Sequence, residues 1–263
     1  MASMTPAEIS AAITAHGSWV SDPETGAQIN WMDRDMESAD IEQADLEQAI
    51  LVGTNLRYAN LTGTDFGSAD MTSANIEGAT LTDAVLSGAT ATLIDARHAN
   101  LVDATATGTD FYRARLDYCN FTSASAASAV FENASLYQAK FSGCNLSNAN
   151  LKNADARGAD FTLAWLVGAS LAGCDMRGAN LTNANLHGTD LEDFSWPFNL
   201  SSLETLVDVD TARRFLYWTM ALTKNAPSGA DALQTTLFTQ DLIAQANLFS
   251  KVVSGDYPAM TAP

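Results

Sequence analysis

Three cysteines, three histidines and a long series of Asp and Asn residues are what this 263-residue chain offers for ligation, nucleophilic attack or proton transfer. Cys119, Cys144 and Cys174 show no C-x-x-C spacing, and their odd number excludes a closed disulfide framework. His16, His98 and His187 fall in unrelated places, with no nucleophile–base–orienter set and no phosphate loop around them. The Asp and Asn residues lack the Gly-Gly-x-Gly-x-Asp pattern of calcium-binding repeats. The expectation is a protein that is not an enzyme, with no catalytic residues, no metal ligands and no cofactor.

Charge narrows the partners. With 31 Asp and Glu against 13 Lys and Arg, the net is −18, which argues against direct nucleic-acid binding. Only 17% of residues are charged while 47% are apolar, so the acidity does not belong to a disordered tail. No stretch approaches 18 uninterrupted apolar residues, so no membrane span is expected. The first residues lack the basic start and apolar run of a secretory signal, and the expected location is cytoplasmic.

The elements that position these residues follow from a repeat. Every fifth residue from Ile41 to Leu191 is apolar, at 31 of 31 positions. Chance would produce that column with a probability of roughly 10⁻¹⁰. Two residues earlier, from Ala39 to Thr189, stand 23 Ala, four Thr, three Cys and one Ile, so all three cysteines are small inward residues. Between the two columns, 19 of 31 residues are Asp or Asn, and Gly is frequent two places after the large residue. Five residues match neither the helical period nor simple strand alternation. A unit with one large and one small inward residue can instead turn a corner every five residues, with Gly easing the backbone there.

Copies such as Ala59-Asn60-Leu61, Ala149-Asn150-Leu151 and Ala179-Asn180-Leu181 resemble the pentapeptide-repeat family, whose loose consensus is A-(D/N)-L-x-x. The resemblance implies an all-β solenoid with helical ends: a right-handed quadrilateral β-helix of about eight coils, each coil built from four pentapeptides. At the inter-strand spacing the rod is about 37 Å long. Ala replaces the large residue at 91, 96, 106 and 126, thinning the core mid-rod; Ile94 and the flanking Phe111, Phe121 and Phe131 are expected to restore volume.

Outward residues 20 apart become neighbours, so the surface divides into four sides. Side 1 holds the repeats centred at 41, 61 through 181, side 2 those at 46 through 186, side 3 those at 51 through 191 and side 4 those at 56 through 176. Counted over residues 40–193, sides 1, 2 and 3 carry −4, −3 and −4, and side 4 balances at zero. Side 4 holds Arg57, Arg97, Arg115, Arg157 and Arg177, with Tyr58 and Tyr118 beside them. Two readings fit it: a solvated salt-bridge face, or a docking face with Arg and Tyr anchors. Side 1 carries a Thr-rich row at 62, 82, 122, 162 and 182. Such rows can bind ice, but β-branched residues simply suit exposed strands.

Both ends of an open β-helix need covering. Residues 1–38 read as an N-terminal helical cap: Thr5-Pro6-Ala7-Glu8 has capping-box spacing, and the helix is expected to stop at Gly17. His16 and Trp19 form an H-x-x-W that resembles the leader of many pentapeptide-repeat proteins. The repeats occupy 39–193. Residues 194–263 read as a C-terminal helical module for capping, dimerisation or both, with Phe215, Leu216, Trp218, Met220, Leu237 and Phe238 as candidate homodimer contacts.

The functional reading is a rigid, non-enzymatic protein-interaction scaffold. The resemblance to the family's quinolone-resistance group implies an alternative, an acidic DNA mimic that binds a type II topoisomerase, DNA gyrase or topoisomerase IV. Its candidate phosphate stand-ins are Asp65, Asp70, Asp83, Asp103, Asp110 and Asp160. A third reading is a structural part of a larger assembly such as a virion.

Overall fold

The computed structural model describes residues 4–192. The candidate contacts at Phe215, Leu216, Trp218, Met220, Leu237 and Phe238, and the whole of 194–263, lie outside the described residues.

The N-terminal segment forms helix α1, Pro6–Ser21. Its start is a complete capping box: Thr5 Oγ1 accepts the Glu8 N–H at 3.3 Å, and the Glu8 carboxylate accepts the Thr5 N–H at 2.8 Å. The end differs from expectation. The helix passes through Gly17, where the backbone stays helical, and closes a turn later with the Asp22 N–H bonded to the Ser18 carbonyl. The glycine that matters is Gly26, with φ +73°. A Cβ there would sit 2.2 Å from the Ala15 carbonyl oxygen, so only Gly lets the returning loop touch the helix.

Beyond the loop the chain winds into coils. Parallel rungs join each residue to the one 20 later, at every fifth position from Asn30↔Ile50 to Ser170↔Asp190, so each coil has four sides. The coil pattern starts at Asn30, ahead of the cap boundary expected after residue 38. Trp31 and Met36 continue the large inward column and are buried. They escape the sequence pattern because Ile29 and Arg34 stand where later repeats hold Ala.

Four backbone N–H groups of a repeat follow a fixed scheme, and an Asp or Asn on the rung, where there is one, takes the fifth. In the repeat around Leu61, Leu61 donates up to Thr80 (2.7 Å), Gly63 up to Thr82 (2.8 Å), and Asn60 down to Ala39 (2.9 Å). Thr64 donates back to Leu61 (3.2 Å), closing the corner turn. The fifth donor, Thr62, has no ladder partner and bonds Asn60 Oδ1 at 3.3 Å. That last bond recurs at Asp65–Gly67, Asp70–Thr72, Asn120–Thr122, Asn180–Thr182 and elsewhere. It gives the Asp/Asn row its physical cause: a short side-chain acceptor for a donor the ladder leaves over.

Every corner residue from Asp33 to Gly188 has positive φ, near +60°, and most are not glycine. With positive φ confined to the third residue of each turn, these are type II corners. The core is a stack of fully buried side chains, including Phe111, Phe121, Phe131, Phe141 and Phe161. Phe121, Phe141 and Phe161 on side 1 stack at 5.0 and 5.1 Å between centroids, Phe111 and Phe131 on side 3 at 5.1 Å. The two stacks meet edge to face at 5.8–6.0 Å. Phenyl rings reaching in from opposite sides fill the middle, which is why side 2 narrows to Ala106 and Ala126 there. Thr54, Thr64, Thr109 and Thr189 are buried in the small column, and each hydroxyl donates to a backbone carbonyl at 2.7–2.8 Å.

Helix α1 closes the first coil. Ile9 belongs to the buried core, with Met4, Ala12 and Ile13 packed against it. His16 is fully buried and stacks on Trp19 at 5.6 Å.

Candidate interaction surfaces

The three thiols are packing groups. Each is buried; burial pushes Cys144 and Cys174 up to about 12, and Cys119 higher still. Cys119 Sγ donates to the Ala96 carbonyl as the inward threonines do. Among the described residues no group of three or more His, Cys, Asp or Glu is placed to hold a metal ion, and no helix is long and apolar enough to cross a membrane.

The candidate DNA-mimic acids are dispersed. Asp83, Asp103 and Asp160 lie on side 1, Asp65 on side 2, and Asp70 and Asp110 on side 3. Asp83 and Asp103 are corner residues one coil apart; the other four occupy rungs. Each rung Asp has one oxygen committed to a turn N–H, at 2.8 Å for Asp65, 3.0 Å for Asp70 and Asp160, and 2.9 Å for Asp110. The structure therefore gathers no single row of free carboxylates from these six.

Side 4 is brought together. Glu77 lies 3.3 Å from both Arg57 and Arg97; the Arg57 Nε contact is Coulombic only, without hydrogen-bond alignment. Asp95 accepts from Arg97 and Arg115, both at 2.8 Å. Arg157 pairs with Asp155 at 2.7 Å and Arg177 with Asp175 at 2.6 Å. All five arginines are paired within the face, as the salt-bridge reading expects. Burial alone would raise the Asp95 carboxyl, but the Arg97 bonds and the Arg115 charge hold it below the usual range. Bonds from Arg157 and Arg177 likewise lower Asp155 and Asp175.

Rings share this side. The Tyr58 ring covers Gly78, where an added Cβ would lie 2.6 Å from ring carbons. His98 stacks on Tyr118 at 4.9 Å and 4°. Tyr118 meets Tyr137 edge-on at 5.6 Å, and the Arg157 guanidinium lies 5.7 Å from the Tyr137 centroid. Tyr58 and Tyr118 are 54% and 44% exposed. The result is a stiff strip of paired guanidinium and aromatic surface, without net charge, on an acidic rod.

The Thr-rich row of side 1 is occupied internally. The hydroxyls of Thr62, Thr122 and Thr182 donate to the Asn two places before, at 2.6–2.7 Å, and Asn180 donates to Thr162 at 2.8 Å.

One feature escaped sequence reasoning. Leu163 and Trp165 stand exposed at the junction of sides 1 and 2. A net charge of −3 for side 2 concealed them, because its acids all sit early, at Asp45, Glu47 and Asp65. A leucine at a corner that is mostly Asp, Asn, Ser, Gln or Gly was the available signal.

The Pentapeptide repeats family profile matches in eight copies over residues 49–88, 92–125, 129–166 and 164–194, more than half of the chain. No curated protein sequence matches the chain. Solved structures that resemble it include HetL, a pentapeptide repeat protein involved in heterocyst differentiation regulation in Nostoc sp. strain PCC 7120. HetL is 22% identical, with 70% of this chain and 91% of HetL covered and a TM-score of 0.45. A trypsin-treated form of QnrB1, a plasmid-mediated fluoroquinolone resistance protein, is 18% identical, with 70% and 92% covered and a TM-score of 0.44. A pentapeptide repeat protein of the Arabidopsis thaliana thylakoid lumen is 28% identical over 36% of this chain and 66% of its own, with a TM-score of 0.28.

Proposed function

The chain belongs to the pentapeptide-repeat family and forms a right-handed β-helix solenoid, and from that premise we propose that it is a rigid, non-enzymatic scaffold docking a protein partner along side 4. One observation supports this above the rest: side 4 alone among the four sides has no net charge, and it concentrates the residue types that dominate binding energy at interfaces. Its ion pairs hold the arginines in place, so a partner meets an ordered surface and loses less entropy in fixing it. The buried free thiols fit a cytoplasmic location. Affinity capture from the native host tests the reading. A Tyr58→Ser/Tyr118→Ser variant should lose the captured partner; equal capture by both proteins overturns it.

An acidic mimic of duplex DNA bound to gyrase or topoisomerase IV is the second reading, favoured by the rod form and the charge of −18. It would use sides 1–3, where the carboxylates stand at uneven intervals. Supercoiling assays with the protein in large molar excess decide it: no inhibition and no protection ends the idea. Service as a structural part of a larger assembly such as a virion is the third, and a clean monomer with no captured partner counts against it.

A further inference from the structure

Leu163 and Trp165 break the rules of the solenoid surface. Leu163 is 55% exposed at a corner, with the φ of +59° that the other corner residues share. Trp165 is 51% exposed on the adjoining rung, with Val167 next to it. An exposed tryptophan beside an exposed leucine makes an apolar patch of the kind that marks interaction sites.

Their surroundings say what binds. On side 2 and its two corners, the stretches 123–128, 143–148, 163–168 and 183–188 contain no Asp, Glu, Lys or Arg. The acids of that side and its leading corner, Asp45, Glu47, Asp65, Asp83 and Asp103, all come earlier. Two copies of a chain with a net charge of −18 repel one another across sides 1 and 3 and the early part of side 2, and this window puts no charge between them. The window also holds both halves of a contact. Two rungs before Trp165, about 9.6 Å along the rod, the outward side chains are the small Ser125 and Ala127. A face that sets a large side chain one rung to one side of a point and small ones one rung to the other is self-complementary under a two-fold axis.

We propose that side 2 is a homodimer interface in which two rods lie antiparallel, each Trp165 packed over the small Ser125 and Ala127 of the other. The two-fold axis crosses the rung at Asn145, so Ser147 faces its own counterpart. The antiparallel arrangement separates the early acids of the two copies, which a parallel one would superimpose. The face is narrow, so the dimer belongs to the weak class of interfaces.

Sedimentation velocity of the full chain at ten to several hundred micromolar tests this, with Ser147→Cys cross-linking as the geometric readout. The native thiols are buried and do not compete. The expected result is concentration-dependent dimerisation, weakened at least ten-fold by Trp165→Glu and by Ala127→Arg. Under oxidation a disulfide dimer should form with Ser147→Cys and not with Gln138→Cys on side 4. A wild-type monomer throughout, no Ser147→Cys cross-link, or dimerisation that survives both side 2 variants overturns the proposal. Loss of the dimer only with Trp218→Ala would do the same and would point instead to the C-terminal residues.

Discussion

His16 Nδ1 accepts the backbone N–H of Ile29 at 3.0 Å. Its Nε2 therefore bears the proton and donates to the Glu47 carbonyl at 2.9 Å. One buried ring thus satisfies two backbone groups of the first coil, which has no coil before it. His16→Ala leaves both without a partner. It should lower stability by roughly 2–4 kcal/mol, measured by urea denaturation, whereas Trp19→Phe, which keeps an aromatic face for the stack, should have a much smaller effect.

The Tyr58 ring lies where a Gly78 side chain would go. Gly78→Ala combines a strained positive φ with a clash and should cost about 1–3 kcal/mol. In a Tyr58→Ala background the clash vanishes and only the backbone strain remains. A double-mutant cycle should return a coupling of about 1 kcal/mol; additive effects would show that the ring moves aside freely.

The rung aspartates serve the turns through an oxygen rather than through their charge. Asp65→Asn, Asp70→Asn, Asp110→Asn and Asp160→Asn keep that acceptor and should each leave thermal stability almost unchanged. The corresponding alanine variants should cost about 0.5–1.5 kcal/mol each. The quadruple Asn variant should fold while being less acidic, so it also separates the two functional readings. It should retain partner capture if side 4 is the docking face, and lose topoisomerase modulation if charge mimicry operates.

Acid stability should trace to side 4. The carboxyls of Asp95, Asp155 and Asp175 are lowered in the folded chain relative to the unfolded one. Such groups contribute stability that is fully present above the unfolded carboxylate range, near pH 4, and is lost as pH falls through the folded values. Arg157→Gln should therefore be mildly destabilising at neutral pH, since the pair is partly solvated. The difference from wild type should shrink below about pH 4. A difference independent of pH would mean that the arginine acts by packing alone.

Phe131 stacks on Phe111 and meets Phe121 and Phe141 edge-on. Phe131→Ala should cost about 3–5 kcal/mol, because a ladder-bonded coil cannot collapse into the void. Differential scanning calorimetry should show that loss as a lower Tm.

The solenoid was legible from Ile41 to Leu191 because burial is dictated residue by residue: a large and a small inward position every five residues admit few other folds. The same logic made the Thr5–Glu8 cap legible, since its partners are three residues apart. The register of 20 even assigned each outward residue to its side. Contacts chosen between coils or at the ends were not encoded that way. The partners of His16 lie 13 and 31 residues away, and Arg34 in the small column hid the first repeats. The pairing of five arginines within side 4 and the binding of rung carboxylates to turn N–H groups depend on side-chain rotamers, which follow no period. The exposure of Trp165 likewise emerged only with its neighbours in place. Inward positions are set by the hydrophobic pattern of the chain; outward ones acquire meaning from what stacking places 20 residues away.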